Sequence, residues 1–162
     1  IWVADFTYLP HSGRFVYLAT VLDVFTREVV GWSVGTRHDV TLITNAFISA
    51  LNHHSRPLIF HSDNGSEYDS ESFTALLAEV GCAISRSTPG CPWENGYQES
   101  FYGRLKLSLG DTNRFAHLGE LVAAVYHQLY RYNHTRIHSA LKMPPRKYRQ
   151  LYAYQKVLEK VS

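Results

Sequence analysis

Trp2-Val3-Ala4-Asp5-Phe6-Thr7-Tyr8, Phe15-Val16-Tyr17-Leu18-Ala19-Thr20-Val21-Leu22 and Glu28-Val29-Val30-Gly31-Trp32-Ser33-Val34 follow one another closely, and the architecture turns on them. Each is rich in aromatic and β-branched residues, which suit a pleated, packed surface. Pro10, Ser12 and Gly13 supply a turn after the first, and Asp23 to Arg27 a turn after the second. The second segment is almost continuously apolar, which predicts a strand covered on both faces. Three strands with short links form an antiparallel meander.

Downstream the apolar period lengthens. Val40, Ile43, Ala46, Phe47, Ala50 and Leu51 recur at three- and four-residue spacing, predicting a helix over 40–52. Pro57 to Phe60 reads as a short buried strand running into His61-Ser62-Asp63-Asn64-Gly65. Phe73, Leu76, Leu77 and Val80 mark a second helix, ended by Gly81, and Cys82 to Ser85 a fifth strand. A loop from Arg86 to Trp93 contains Pro89, Gly90 and Pro92. A helix then runs from near Glu94 to about Leu109, Gly110 to Asn113 break it, and another covers roughly 117–132. The tail from Asn133 holds Pro144-Pro145 and a short basic helix. The order β-β-β-α-β-α-β-α-α predicts an α/β fold: a five-stranded mixed sheet, three strands antiparallel and two parallel, flanked by helices.

With 162 residues, 45% apolar and 19% charged, the chain has the makings of one globular domain rather than a disordered segment. No apolar run approaches the roughly eighteen residues of a membrane span. Nine histidines show no HExxH spacing, and Cys82 and Cys91 suggest neither a disulfide framework nor a zinc site. A reducing cytoplasm is the expected compartment. Ile1 to Asp5 resemble neither a signal peptide nor a natural start, which predicts a fragment whose upstream part is missing. Charge is unevenly spread. Residues 1–100 hold 5 Lys/Arg against 11 Asp/Glu, and residues 101–162 hold 11 against 3. The acidic part can concentrate carboxylates for metal, and the basic part can face a polyanion, although basic helices are often simply solvated.

Three acids fall where chemistry can use them. Asp5 lies inside a strand expected at the sheet centre, where an uncompensated carboxylate is costly. Asp63 follows a strand directly, at the carboxyl end where open α/β sheets place their sites. Glu99 lies on the helix starting near Glu94, and Lys106 is two turns further on the same face. Taken singly, each has a plainer reading: a bulge for Asp5, a turn signature for Asp63-Asn64-Gly65, unrelated surface charges for Glu99 and Lys106, and a partly buried side chain for His61.

Together the blocks say more. HSDNGSEY (61–68) and CPWENGYQESFYGRLK (91–106) separate Asp63 from Glu99 by 35 residues. With the opening Trp2 to Tyr8, they resemble the Asp-Asp-Glu transposase and retroviral-integrase family, the closer match being the integrase-like catalytic cores of bacterial insertion-sequence transposases. YLATVLDVFTREVVGW (17–32) resembles that family's second and third strands, and Tyr132-Asn133-His134-Thr135-Arg136-Ile137-His138 its terminal Y-N-x-x-R-x-H motif. The likeness runs from Trp2 to about Pro145. Departures are small: Ala4 stands where Thr is usual, and Asn64 where Arg is usual, which bears on a phosphate contact rather than on the carboxylates.

The resemblance implies a ribonuclease-H-like fold. It also implies that Asp5, Asp63 and Glu99 bind two Mg²⁺ or Mn²⁺ ions and catalyse DNA cleavage and strand transfer. Carboxylates sharing one cleft repel each other by about 4 kcal/mol for a pair at 4 Å and an effective dielectric near 20, so a cation is the natural complement. Lys106 is expected to contact a DNA phosphate, with Asn95, Arg104, Arg131 and Arg136 as further DNA-contact candidates. The expected partners are transposon-end and target DNA and further copies of the chain, in a homodimer or higher oligomer, with no membrane. Residues 1–145 are expected to form the catalytic core and 146–162 a basic helical tail, with an upstream DNA-binding domain outside this chain. Two other readings stand beside this one: a ribonuclease-H-like nuclease that cuts without joining, and an inactive relic that only binds DNA.

Overall fold

The computed structural model describes residues 1–87 and 96–161. Its centre is β1 (Trp2–His11), paired antiparallel with β2 (Arg14–Asp23) on one side and parallel with β4 (Ile59–Ser62) on the other. β3 (Val29–Gly35) and β5 (Ala83–Arg86) complete a mixed sheet in the order β3-β2-β1-β4-β5. The β4–β5 pair is parallel and the β2–β3 pair antiparallel, as the order of elements predicted.

β1 outruns its expected end near Tyr8. The register continues through Pro10↔Phe15 to His11↔Arg14, and the turn is Ser12-Gly13 alone. Both residues have positive φ, 50° and 73°, the left-handed pair that a two-residue hairpin requires. Pro10 is tolerated because β1 meets β4 only at Trp2 and Val3, so its missing N–H breaks no ladder bond on that side.

Side chains alternate across the sheet and build two cores. Trp2, Ala4, Ala19 and Val21 pack with Leu42, Ile43, Ala46, Phe47 and Ala50 of α1 (Val40–Leu51) and with Phe73 and Leu77 of α2 (Glu71–Glu79). Val3, Leu9, Leu18 and Leu22 pack with Phe101, Leu105 and Leu109 of α3 (Gly96–Leu109) and with Leu121, Val125 and Leu129 of α4 (Leu118–His134). β2 is therefore covered on both faces, as its unbroken apolar run implied. Gly31 admits α1 to β3: a Cβ there would overlap the Ala46 carbonyl oxygen and crowd Ala50.

Two elements differ from expectation. Thr112–Arg114 form a short 3₁₀ turn where only a break was foreseen. The tail helix α5 (Pro145–Val161) spans 17 residues, longer than the short basic helix expected, and it docks on the β2–β3 turn. Arg149 Nε lies 2.6 Å from Oε2 of Glu28, a residue only 1% exposed, and Phe25 packs against the rings of Tyr148 and Tyr152. Burial raises the Glu28 carboxyl pKa while Arg149 and Arg146 oppose that rise. The guanidiniums thus compensate a buried acid.

Candidate active site

Asp5 shares the parity of Val3 and Leu9 and so belongs to the sheet face that α3 covers. Its Oδ1 accepts the Phe6 N–H at 2.8 Å. Its pKa is pushed up to about 7, first by burial and further by the negative charges of Asp63 and Glu99, against the lowering effect of the Phe6 N–H. Asp5 therefore senses the charges of the other two acids foreseen from the sequence. Tyr68 adds an apolar wall nearby: its fully buried hydroxyl is raised by burial and then by Asp5 and other neighbours.

Asp63 comes directly after β4 and heads a tight turn. Its Oδ1 accepts the Gly65 N–H at 3.0 Å, and the Asn64 amide donates to the Ser87 carbonyl at 2.8 Å, tying the turn to the end of β5. Gly65 is needed for this closeness, since a Cβ would meet Asp63 Oδ1 at 3.1 Å and the Glu67 carboxylate closer still. His61 is held between the Ser85 and Ser87 hydroxyls at 2.9 and 3.1 Å, which fits its plain structural reading.

Glu99 is exposed on α3, and the residues around it are what hold the helix in place. Gln98, fully buried, donates through Nε2 to the Val3 carbonyl at 2.8 Å and the Thr20 carbonyl at 3.2 Å, and accepts from the Thr20 hydroxyl at 3.0 Å. One turn on, the Tyr102 hydroxyl donates to the Asp5 carbonyl at 2.5 Å and lies 2.8 Å from Thr20 Oγ1. Helix and strands are thus clamped at the Asp5 position. This clamp was missed in the sequence. The available signals were a threonine inside the apolar run 15–22 and the i, i+4 pair Gln98/Tyr102 bracketing Glu99.

Lys106 lies on α3 with its Nζ 4.5 Å from the Tyr8 ring centroid, a cation–π contact that orients it. Arg104 and Arg136 line one cavity together, and both also line a second one that includes Arg131. Asn95 and the 90–93 loop lie outside the described residues, as do Cys91 and Glu94.

Among the described residues, no group of three or more His, Cys, Asp or Glu side chains is already gathered around a common point for a metal ion. The donor set nevertheless fits a hard cation: carboxylate oxygens only, one of them raised to about 7 first by burial and then by its acidic neighbours.

Residues 1–92 match one model of the integrase core domain, and residues 80–145 match a second model of the same description. The chain belongs to the integrase core domain family. It is 37% identical over 144 residues to the transposase for insertion sequence element IS904 of Lactococcus lactis, covering 87% of this chain and 57% of that protein. It is 34% identical over 141 residues to the transposase InsF for insertion sequence IS3A of Escherichia coli, covering 85% and 49%. The chain thus spans about half the length of the curated relatives it matches. Its backbone resembles the HTLV-2 integrase catalytic core domain in complex with magnesium, with a TM-score of 0.74 at 19% identity over 90% of this chain and 93% of that one. The BIV integrase catalytic core gives 0.72 at 19% over 96% and 97%. The fold is ribonuclease-H-like, as the family resemblance implied. No described helix is long and apolar enough to cross a membrane.

Proposed function

We propose that this integrase core domain is the catalytic part of a DNA transposase, with Asp5, Asp63 and Glu99 holding Mg²⁺ or Mn²⁺, two ions in the working complex. The observation that carries this reading is the Asp5 carboxyl, raised to about 7 by burial and by Asp63 and Glu99. A structural acid at a sheet centre is normally compensated by a cationic side chain, and here its charged neighbours are acids. A bound divalent cation supplies Lewis-acid stabilisation of the scissile phosphate and of the attacking oxygen.

The chain's own residues do the rest. Asp5 binds from the central strand and Asp63 from the hydrogen-bonded turn at the end of β4, and Glu99 closes the site from the helix. Gln98 and Tyr102 keep that helix in register with β1. Lys106 contacts a DNA phosphate beside the site. In the cutting step water attacks the phosphorus and the P–O3′ bond breaks, leaving a 5′-phosphate and a 3′-hydroxyl. In the joining step that 3′-hydroxyl attacks a target phosphodiester and displaces the target's own 3′-hydroxyl, and no side chain becomes covalently linked. The substrates are transposon-end and target DNA, recognised with help from an upstream segment. The protein works in the bacterial cytoplasm as a dimer or larger assembly, a reading supported by the dimeric and trimeric forms named for the HTLV-2 core. Residues 1–145 are the core, and α5 is a basic helical extension of it.

The test incubates the protein with labelled duplex DNA and Mg²⁺ or Mn²⁺ and scores nicked and joined products separately. Both products are expected, and both are expected to vanish in Asp63→Asn while the fold remains intact. Nicks without joints would favour a hydrolytic nuclease. Undiminished products in Asp63→Asn would end the assignment.

A further inference from the structure

A cavity of about 480 Å³ opens between the start of α3, the β2–β3 turn and the segment after α4. Arg27, Arg104, Arg136 and His138 line it, with the hydroxyl-bearing Tyr97 and Ser100, and no described carboxylate does. The three guanidiniums crowd together: after burial, each lowers the pKa of His138, and each opposes the rise that burial gives the Tyr132 hydroxyl. Three like charges on one wall repel unless an anion joins them.

The cavity is shaped by unfavourable local structure. Arg27 has a φ of 62°, a left-handed conformation that costs a non-glycine residue about 1–2 kcal/mol. The turn enforces it, with the Asp23 carboxylate accepting the Phe25 and Thr26 N–H groups and the Arg27 N–H donating to the Asp23 carbonyl. What this achieves is orientation. The Arg27 guanidinium lies 3.8 Å over the Tyr97 ring and donates through Nη2 to the Tyr97 hydroxyl at 3.0 Å. On the far side, Lys142 at φ 59° closes a tight loop in which the His138 carbonyl accepts the Lys142 N–H at 2.8 Å. Two buried nitrogens of the cavity residues, Arg27 Nη1 and His138 Nδ1, have no hydrogen-bond partner among the described residues. Buried donors are nearly always satisfied, and an arginine nitrogen with no acceptor among the described residues, beside two further arginines on a wall without a described carboxylate, suits an anionic ligand.

We propose that this cavity is a binding site for one phosphate group of a DNA strand, built by Arg27 of the β2–β3 turn and Arg104 of α3 together with Arg136 and His138 of the terminal Y-N-x-x-R-x-H segment. The volume lies within the roughly 300–1,000 Å³ of ligand pockets, so it accepts a phosphodiester with part of its sugar rather than a bare ion alone. Tyr97 and Ser100 are on the same helix as Glu99, within a turn of it on either side, which links the pocket to the catalytic acids through one rigid element. The terminal motif and Arg27 thereby gain a role as a fixed grip on the strand near the reacting phosphate. That role rests on the transposase reading above, whereas the anion site itself stands on the cavity's own residues.

The test titrates the intact protein with inorganic phosphate and follows the His138 ring resonance by NMR, assigned with His138→Gln. A saturable shift is expected in the wild type. Affinity should fall about tenfold in Arg27→Gly, which suits the positive φ, and in Arg104→Gln on an exposed helix position, as expected for a lost charge-assisted hydrogen bond. Arg114→Ala, which removes a charge elsewhere, should leave it unchanged. Adding a single-stranded oligonucleotide should displace the phosphate competitively. No saturable shift, equal affinity in the cavity variants, or phosphate that DNA cannot displace would each overturn the proposal. Failure of the transposase reading shows separately, as an absence of Asp63-dependent cutting and joining with the phosphate titration unchanged.

Discussion

The acidic end of the sheet and the basic face of α3 and the terminal segment solve opposite electrostatic problems by opposite means. Two of the acids come from the sheet and its end, with Asp5 on the central strand and Asp63 in a hydrogen-bonded turn at the end of β4. A buried clamp, Gln98 and Tyr102 on Thr20 and on β1, fixes the helix that carries Glu99. The arginines come from a strained turn, an exposed helix face and the loop after α4. Cation chemistry needs donor atoms placed to within a fraction of an ångström, and a sheet centre can provide that. Phosphate contacts need charge and reach more than exact placement, and turns and helix surfaces suffice for them. The lesson is that precision is built from buried hydrogen bonds and affinity from surface charge.

Substitutions can break this contrast or sharpen it. The largest effect is expected from Asp63→Asn, which should lower cleavage and joining by roughly 10³-fold, about 4 kcal/mol in barrier, with little change in the thermal midpoint. Gel assays of nicked and joined DNA check the rate, and calorimetric unfolding checks the fold.

Asp5→Asn should act on stability in the opposite direction. The folded-state pKa of Asp5 is about 7 against an ordinary value of 3.8, so the folded chain binds the extra proton between those limits. The metal-free protein should therefore lose stability as pH rises from about 4 to 7. Asparagine should remove that loss and add about 2–4 kcal/mol at pH 8. Urea unfolding across pH in EDTA measures it, and a wild-type stability that stays flat from pH 4 to 8 would contradict the burial of this acid among others.

Removing the clamp with Gln98→Ala leaves the Val3 and Thr20 carbonyls and the Thr20 hydroxyl short of a partner, at about 1–3 kcal/mol in stability. Metal affinity should drop by roughly 10–100-fold, as for other groups that orient ligands. A variant that loses stability yet binds Mn²⁺ as tightly as the wild type would show that the helix position does not matter to the site. The smallest effect belongs to Lys106→Ala, which should weaken DNA binding and reduce the salt slope of log K by about one. An unchanged slope would remove Lys106 from the phosphate contacts.

The fold was largely legible because its signals are local. Unbroken apolar runs and the change of period at Val40 separate the strands of the meander from the βα units, and Asp63 could be placed at a strand end from the turn residues after it. The family's blocks then tied Asp5, Asp63 and Glu99 together. What escaped was non-local. Gln98 reads as a polar helix residue until β1 and β2 bring two carbonyls to its amide, and nothing near it in the sequence says so. Arg27 looked like part of an ordinary turn because a positive φ on arginine leaves no trace in composition. The docking of α5 depends on Glu28, more than a hundred residues away, and on Phe25 meeting two tyrosines. Pro10 misled in the other direction: proline signals a strand end, yet on an unpaired side of β1 it is harmless.

The most direct test of the central claim is an anomalous-difference map from crystals soaked in Mn²⁺. The account predicts density in contact with the Asp5 and Asp63 carboxylates, with the Glu99 carboxylate turned toward it, and none in Asp5→Asn crystals. Manganese bound away from Asp5 and Asp63, or bound equally well without the Asp5 carboxylate, would contradict it.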